Sequence, residues 1–253
     1  MTVDSIYQQV RAQWRGARRF VRNIPYLGTA RWCPVCERHS RCFRPFKHHH
    51  NREAICIHCG ALERHRFLWL YAQAHTDLFD GRPKRVLHVA PERCFNEKLR
   101  RRLGEGYLTA DLMDKRAMVA MDIMAIQFPD ATFDVVYCSH VLEHVPDDRR
   151  AMREFCRVLK PDGWAILLVP ITADTTFEDP SVVDPAERLR LFGQEDHVRR
   201  YGPDYVDRLQ EAGFDVAEVK VHHLFSEEAA RRMGIVRGAG WIHHCTKRKS
   251  LAA

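Results

Sequence analysis

The 253-residue chain contains no uninterrupted apolar run of about 18 residues, so no membrane-spanning helix is expected. Its first residues also lack the apolar core of a secretory signal. Their arginine-rich start resembles a transit peptide only loosely and runs straight into a structured motif, so a soluble cytoplasmic protein is expected. Internal repeats and low-complexity tracts are absent, which excludes repeat architectures. Acidic residues are scarce in the first quarter: residues 1–66 hold 13 Lys/Arg against 4 Asp/Glu, and the remainder 27 against 29. That asymmetry points to a polyanionic partner or to an arm docked on an acidic face. An even set of cysteines is lacking too. Of nine, four form two C-x-x-C pairs, while Cys42, Cys94, Cys138, Cys156 and Cys245 are scattered. This fits a reducing compartment and one metal site better than a disulfide framework. With 45% apolar residues, the chain has material for one α/β domain and a small appendage.

In the first 30 residues, Ile6, Val10, Trp14, Ala17 and Val21 recur at helical spacing beside a stripe of Arg11, Arg15, Arg18 and Arg22. They predict a basic amphipathic helix, which either touches nucleic acid or an anionic surface or packs on its own domain with a solvated arginine face. Residues 31–60 carry Cys33-Pro-Val-Cys36 and Cys56-Ile-His-Cys59. Two such turns place four thiolates in the tetrahedral arrangement that Zn2+ accepts, with Gly60 easing the second turn. Four sulfurs leave no open position, so this zinc ribbon should be structural. His39, Cys42, His58 and the run His48, His49 and His50 are substitute ligands, read more simply as ribbon surface. Residues 61–83 hold a connecting helix ending before Gly81-Arg82-Pro83.

From Lys84 to the C-terminus, short β-type runs alternate with helical segments, the pattern of a doubly wound α/β sheet. Strands are expected over 85–90, 107–110, 119–121, 133–139, 164–169, 214–221 and 241–245, with helices over 96–102, 148–159 and 204–212. The run 133–139 reads as a buried parallel strand that delivers Ser139, His140, Glu143 and His144 at its carboxyl end. Asp111 ends the second strand, 19 residues after Glu92, where a carboxylate can accept from both hydroxyls of a ribose. Asp122 ends the third, placed to accept from an adenine amino group.

The motifs V-L-H-V-A-P-E (86–92), T-A-D-L (109–112), M-D-I (121–123), F-P-D-A-T-F-D-V-V-Y-C-S-H-V-L-E-H-V (128–145) and R-V-L-K-P-D-G-W (157–164) resemble the class I, type 11-like methyltransferases that use S-adenosylmethionine. The resemblance spans about residues 84–221 and implies a Rossmann-like, seven-stranded sheet with its last strand antiparallel. It also implies that Asp111 holds the ribose, that Asp122 and Ile123 frame the adenine, and that Ser139 and His140 line the pocket near the methionine moiety. The first loop departs from the family's D-x-G-x-G, since His88, Ala90 and Glu92 stand at those positions. Ala90 is small enough for close approach of the backbone. Glu92 either pairs with the cofactor's ammonium or caps the following helix.

Methyl transfer from a sulfonium needs alignment and exclusion of water, and needs a base only where the acceptor loses a proton. His140 and His144 are the candidate bases. The string H-x-x-E-H over 140–144 matches a metalloprotease pattern by letter, but the long zinc-binding helix is missing. It also resembles the E-x-x-E-H by which certain ubiquinone-pathway O-methyltransferases hold a divalent ion. Glu143, Asp174, His197, Arg199 and Tyr201 are acceptor-side candidates, with Gly193 and Gly202 as hinges of a lid. The expectation is a methyltransferase with an N-terminal zinc ribbon, acting on a small molecule, sugar or lipid in preference to RNA, although the basic first quarter keeps RNA as a candidate partner. The alternative is a non-catalytic nucleic-acid or protein adaptor on a degenerate fold. Binding of the cofactor discriminates the two.

Overall fold

The computed structural model describes residues 7, 11, 14, 21–46, 53–236 and 239–248. Most of the helix expected over residues 6–21 lies outside them, as do His48, His49 and His50; Tyr7, Arg11 and Trp14 are helical and exposed. The described elements in chain order are β1 (Arg31–Cys33), β2 (Arg38–Ser40), α1 (Glu63–His75), β3 (Val86–Val89), α2 (Arg93–Leu103), β4 (Tyr107–Asp111), β5 (Val119–Ala120), β6 (Phe133–Ser139), α3 (Asp148–Val158) and β7 (Leu159–Leu168). They continue with β8 (Phe177–Glu178), α4 (Pro185–Phe192), β9 (Arg199–Arg200), α5 (Tyr205–Glu211), β10 (Phe214–Val219), α6 (Val221–Leu224), α7 (Glu227–Met233) and β11 (Ile242–Lys247). None of the described helices is long and apolar enough to cross a membrane.

The chain divides into two compact units, residues 1–70 with 225–239, and residues 71–224 with 240–253. The return of 225–239 to the N-terminal unit is not visible in a linear reading of the chain. In that unit β1 and β2 form an antiparallel hairpin whose turn is the first cysteine knuckle. The two knuckles share one geometry. Glu37 and Gly60, each following a C-x-x-C, are left-handed (φ 58° and 79°), and their N–H groups donate to the carbonyls of Cys33 and Cys56. Gly60 was expected to ease such a turn; Glu37 does it with a side chain present.

The second unit is an α/β Rossmann-like sheet of seven strands in the order β10-β11-β7-β6-β3-β4-β5. β11 runs antiparallel to both neighbours, and the ladders from β7 to β5 are parallel. β6 is buried on both faces from Val135 onward because it lies inside the sheet, which is why residues 135–138 form an unbroken apolar run, with Asp134 at its entrance and Ser139 at its exit. Leu87, Val136, Phe155 and Leu167, all fully buried, centre the core.

The block R-V-L-K-P-D-G has a physical reading here. Arg157 donates to the carbonyls of Ile126 and Phe128 and pairs with Asp130 and Glu154. Lys160 pairs with Asp134 at 2.7 Å. β7 begins at Leu159, earlier than expected, and residues 160–163 bulge out between the pairs Phe133↔Leu159 and Val135↔Trp164. A Cβ on Gly163 would sit 2.7 Å from the Asp134 carbonyl oxygen, so that bulge needs glycine.

Candidate active site at the carboxyl edge of the sheet

The parallel ladders bring the carboxyl ends of β3, β4 and β6 side by side, where open α/β sheets place their ligands. Two of those ends turn through left-handed residues that are not glycine, Ala90 (φ 49°) after β3 and His140 (φ 55°) after β6. Such positions cost energy and cluster at functional sites. Ala90 supplies the turn the resemblance assigns to glycine, and its N–H donates to the Ala110 carbonyl (2.8 Å).

Glu92 occupies the N-cap position of α2, but its side chain caps nothing. Its Oε1 accepts from the Tyr137 hydroxyl (2.6 Å), and its Oε2 lies 2.6 Å from Nε2 of the fully buried His88. His88 Nδ1 is in turn 2.7 Å from the Tyr107 hydroxyl. The carboxylate is thus held at the mouth of β3 by a histidine and a tyrosine, with no capping hydrogen bond from the side chain although the residue stands at the N-cap. Burial pushes the Tyr107 phenol well above its usual range, and the Glu92 charge adds to that.

Asp111 Oδ1 accepts from the N–H groups of Met113 and Asp114 (2.8 and 2.7 Å), which shapes the loop after β4, while no donor among the described residues reaches Oδ2. Asp122 Oδ1 accepts from Met124 N–H (2.8 Å), and Ile123 is buried beside it. Ser139 is buried, and its Oγ has no hydrogen-bond partner among the described residues. An unpaired buried hydroxyl, a free carboxylate oxygen and a tight backbone turn on adjacent strands fit a nucleoside-type ligand with polar groups of its own.

Past β6, the 3-10 turn Leu142–His144 carries Glu143, which is buried, and His144, which is half-buried. His140 Nδ1 lies 3.2 Å from Glu143 Oε1, and His144 Nδ1 3.2 Å from Asp196 Oδ2. His197 joins them edge to face with His144, ring centroids 4.6 Å apart. Burial first, then the neighbouring His144, lowers the His197 pKa. Asp174 is exposed and bonds with none of these residues.

Arg199 and Tyr201 turn inward. Arg199 donates to the carbonyls of Leu142, Val145 and Pro146 and pairs with Glu178 (2.8 Å); the Tyr201 hydroxyl donates to Asp148 (2.7 Å), which Arg208 also holds. Both side chains brace the wall of the site instead of facing an acceptor. Gly202 is pinned as well: a Cβ there would lie 2.5 Å from Thr175 Cα. It serves close packing, not hinging. Tyr107, Tyr137 and Asp196 were missed in the sequence, where nothing distinguishes them from ordinary strand and loop residues.

In the other unit, one sulfur from each of Cys33, Cys36, Cys56 and Cys59 lies within 4.8 Å of the other three. The pairs Cys33–Cys59 and Cys36–Cys56 are both 3.7 Å apart. A tetrahedron with Zn–S bonds of about 2.3 Å has edges of about 3.8 Å, so the four sulfurs fit a zinc-sized ion and are too far apart for disulfides.

Residues 75–167 match the family model of a methyltransferase domain. Among curated proteins the chain is similar to 27-O-demethylrifamycin SV methyltransferase of Amycolatopsis mediterranei, 32% identical over 47% of this chain and 43% of that protein. It is also similar to a ubiquinone biosynthesis O-methyltransferase of Neisseria meningitidis, 31% identical over 39% of this chain and 43% of that one. The chain thus spans less than half the length of these relatives. Among solved structures, an S-adenosylmethionine-dependent methyltransferase from Mesorhizobium loti aligns over 70% of this chain and 96% of its own at 14% identity, with a TM-score of 0.48.

Proposed function

We propose that the chain is an S-adenosylmethionine-dependent methyltransferase carrying a structural zinc site, with an acceptor drawn from small molecules, sugars or lipids. The observation that carries this reading is the joint presence, on adjacent strand ends, of the left-handed Ala90, the free Oδ2 of Asp111 and the unpartnered Oγ of Ser139. The bound cofactor would supply a methyl group already activated by its sulfonium. The protein's part is to bind, align and exclude water. Asp111 accepts from the ribose hydroxyls, Asp122 and Ile123 bound the adenine, and Ser139 and the His140 backbone face the methionine portion. His88, Ala90 and Glu92 form the first loop, where the carboxylate of Glu92, steadied by Tyr137 and His88, complements an ammonium group.

On the acceptor side, His140 and His144 stand at the end of β6 with Glu143, while His197 completes that wall. His140 is the base we favour for an acceptor that must lose a proton, because its ring is one-third exposed and is oriented by Glu143. Cys33, Cys36, Cys56 and Cys59 hold Zn2+ with no open position, so that ion orders the N-terminal unit and takes no part in transfer.

Calorimetry with S-adenosylmethionine and S-adenosylhomocysteine tests the reading. Binding is expected, weakened about tenfold or more in Asp111→Asn, the loss of a hydrogen bond to a charged acceptor being worth about 1.5–3 kcal/mol. No binding at millimolar cofactor by the folded protein would overturn it and leave the adaptor reading. Incubation of cell extract with methyl-labelled cofactor then identifies the acceptor class, RNA included.

A further inference from the structure

The turn after β6 and the segment before β9 carry a set of donors that methyl transfer itself leaves unexplained. One donor atom from each of Glu143, His144 and His197 lies within 4.8 Å of the other two. The backbone enforces this meeting. The Val198 N–H donates to the Glu143 carbonyl (2.9 Å), and the Arg199 guanidinium binds three carbonyls of residues 142–146, so the two segments are braced together without help from an ion.

Glu143 is 1% and His197 6% exposed, yet among the described residues Glu143 Oε2 and His197 Nε2 have no hydrogen-bond partner. An unpaired buried polar group is costly, and two so close together are rare in folded proteins unless a ligand fills the gap. The remaining ring nitrogens are already committed. His197 Nδ1 donates to the Phe192 carbonyl (3.2 Å), which leaves Nε2 with its lone pair free, and His144 Nδ1 faces the Asp196 carboxylate at 3.2 Å. A carbonyl behind one imidazole and a carboxylate behind the other is the support that metal-bound histidines receive.

We propose that Glu143, His144 and His197 bind a divalent transition-metal ion through one carboxylate oxygen and two imidazole nitrogens. Two nitrogen donors select the zinc and cobalt class over Mg2+ and Ca2+, which prefer all-oxygen sites. Three protein ligands leave at least one position for water or for an oxygen of a bound molecule. The ligand set differs from what the string H-x-x-E-H suggests by letter. His140 sits behind the Glu143 carboxylate and is no ligand, and the third donor comes from a distant segment of the chain. With His144 on the metal, His140 is the residue left to accept a proton. The site stands whether or not the chain transfers methyl groups, because metal binding is measured without cofactor.

The test titrates the full chain, its four-cysteine cluster loaded, with Co2+ and counts bound metal by elemental analysis. Two transition-metal equivalents per chain are expected. His197→Ala and His144→Ala should each weaken the second equivalent at least tenfold while keeping the first, and Mg2+ should not compete for it. Cobalt spectra separate the sites, since sulfur ligands give intense charge-transfer bands and nitrogen and oxygen ligands do not. A single equivalent in the unmodified chain, or a second one that both variants retain, overturns the proposal. Because His144 is half-buried, its variant reports even where loss of the buried His197 disturbs packing.

Discussion

The N-terminal unit buries Val35, Phe43, Ile57 and Phe67 together with a four-sulfur cluster and one guanidinium, whereas the sheet unit packs a larger apolar core that includes Leu87, Val136, Met152, Phe155 and Leu167 and pairs its buried Arg199 and Arg208 with Asp148. Arg66 is fully buried, donates to the carbonyls of Ala54, Ala61, Met233 and Gly234, and stacks on Phe43 at 3.9 Å. Burial lowers its pKa, while the charges of Cys33, Glu63, Cys56 and Cys59 oppose that shift. With the proposed Zn2+ bound, the four thiolates would carry a net negative charge, for which the Arg66 guanidinium would supply compensation. The small unit thus rests on groups arranged about one guanidinium, and the large one chiefly on apolar area removed from water, with its buried arginines paired to a carboxylate.

Chelation breaks that comparison most sharply. Stripping metal should cost the N-terminal unit about 10 kcal/mol and abolish hydrogen-exchange protection over residues 31–61 and 225–239, while β3, β6 and β7 keep theirs. Simultaneous loss in both units would show that the division is not energetic. Next in size is Arg66→Met, which leaves four carbonyls without their donor and should destabilise the same unit by about 3–5 kcal/mol, read as a lower melting temperature of its transition alone.

The sheet unit has its own weak point under acid. His243 is 1% exposed, neither ring nitrogen makes a hydrogen bond among the described residues although Glu218 Oε1 lies 3.7 Å from Nε2, and burial lowers its pKa to about 4. The unfolded chain takes up this proton below about 6.5 and the folded chain only near 4, so stability falls as the pH drops through that window, by about 3 kcal/mol at its foot. Urea midpoints from pH 7 to 4 should show that slope, reduced in His243→Phe; an unchanged slope would remove His243 as its source. The smallest effect is expected from Ala90→Gly. Relief of the left-handed strain nearly cancels against the entropy glycine adds to the unfolded chain, for a net gain of about 0.5 kcal/mol.

Much of the sheet was legible because a strand segment buried on both faces, such as residues 135–138 of β6, has to be written as an apolar run. Asp111 follows a largely buried strand and could be placed for the same reason, whereas Asp122 follows a short edge strand and was placed by its motif, and the two C-x-x-C spacings disclosed the sulfur cluster. Other features left no trace. Arg66 stands in the charged group that opens α1, and only three dimensions show that it points into the protein. Ala90 and His140 adopt left-handed backbones without the glycine that would announce them. Arg199 and Tyr201 were read as facing an acceptor because they follow a polar loop, but buried partners come from residues far away in sequence, and spacing cannot report such partners. Glu92 does stand at the N-cap of α2, but its carboxylate is spent on Tyr137 and His88, partners that spacing along the chain does not reveal.

The return of residues 225–239 has a consequence for the nascent chain. All four cysteines have left the ribosome long before Met233 and Gly234 supply the carbonyls that receive Arg66. Roughly 180 residues separate Cys59 from the end of that segment, and at about 5–20 residues per second this leaves the N-terminal unit incomplete for about 10–40 s. During that interval the thiols stand open to oxidants and to competing metals. Early capture of zinc, ahead of the final closure around Arg66, is what would carry this unit through its own synthesis.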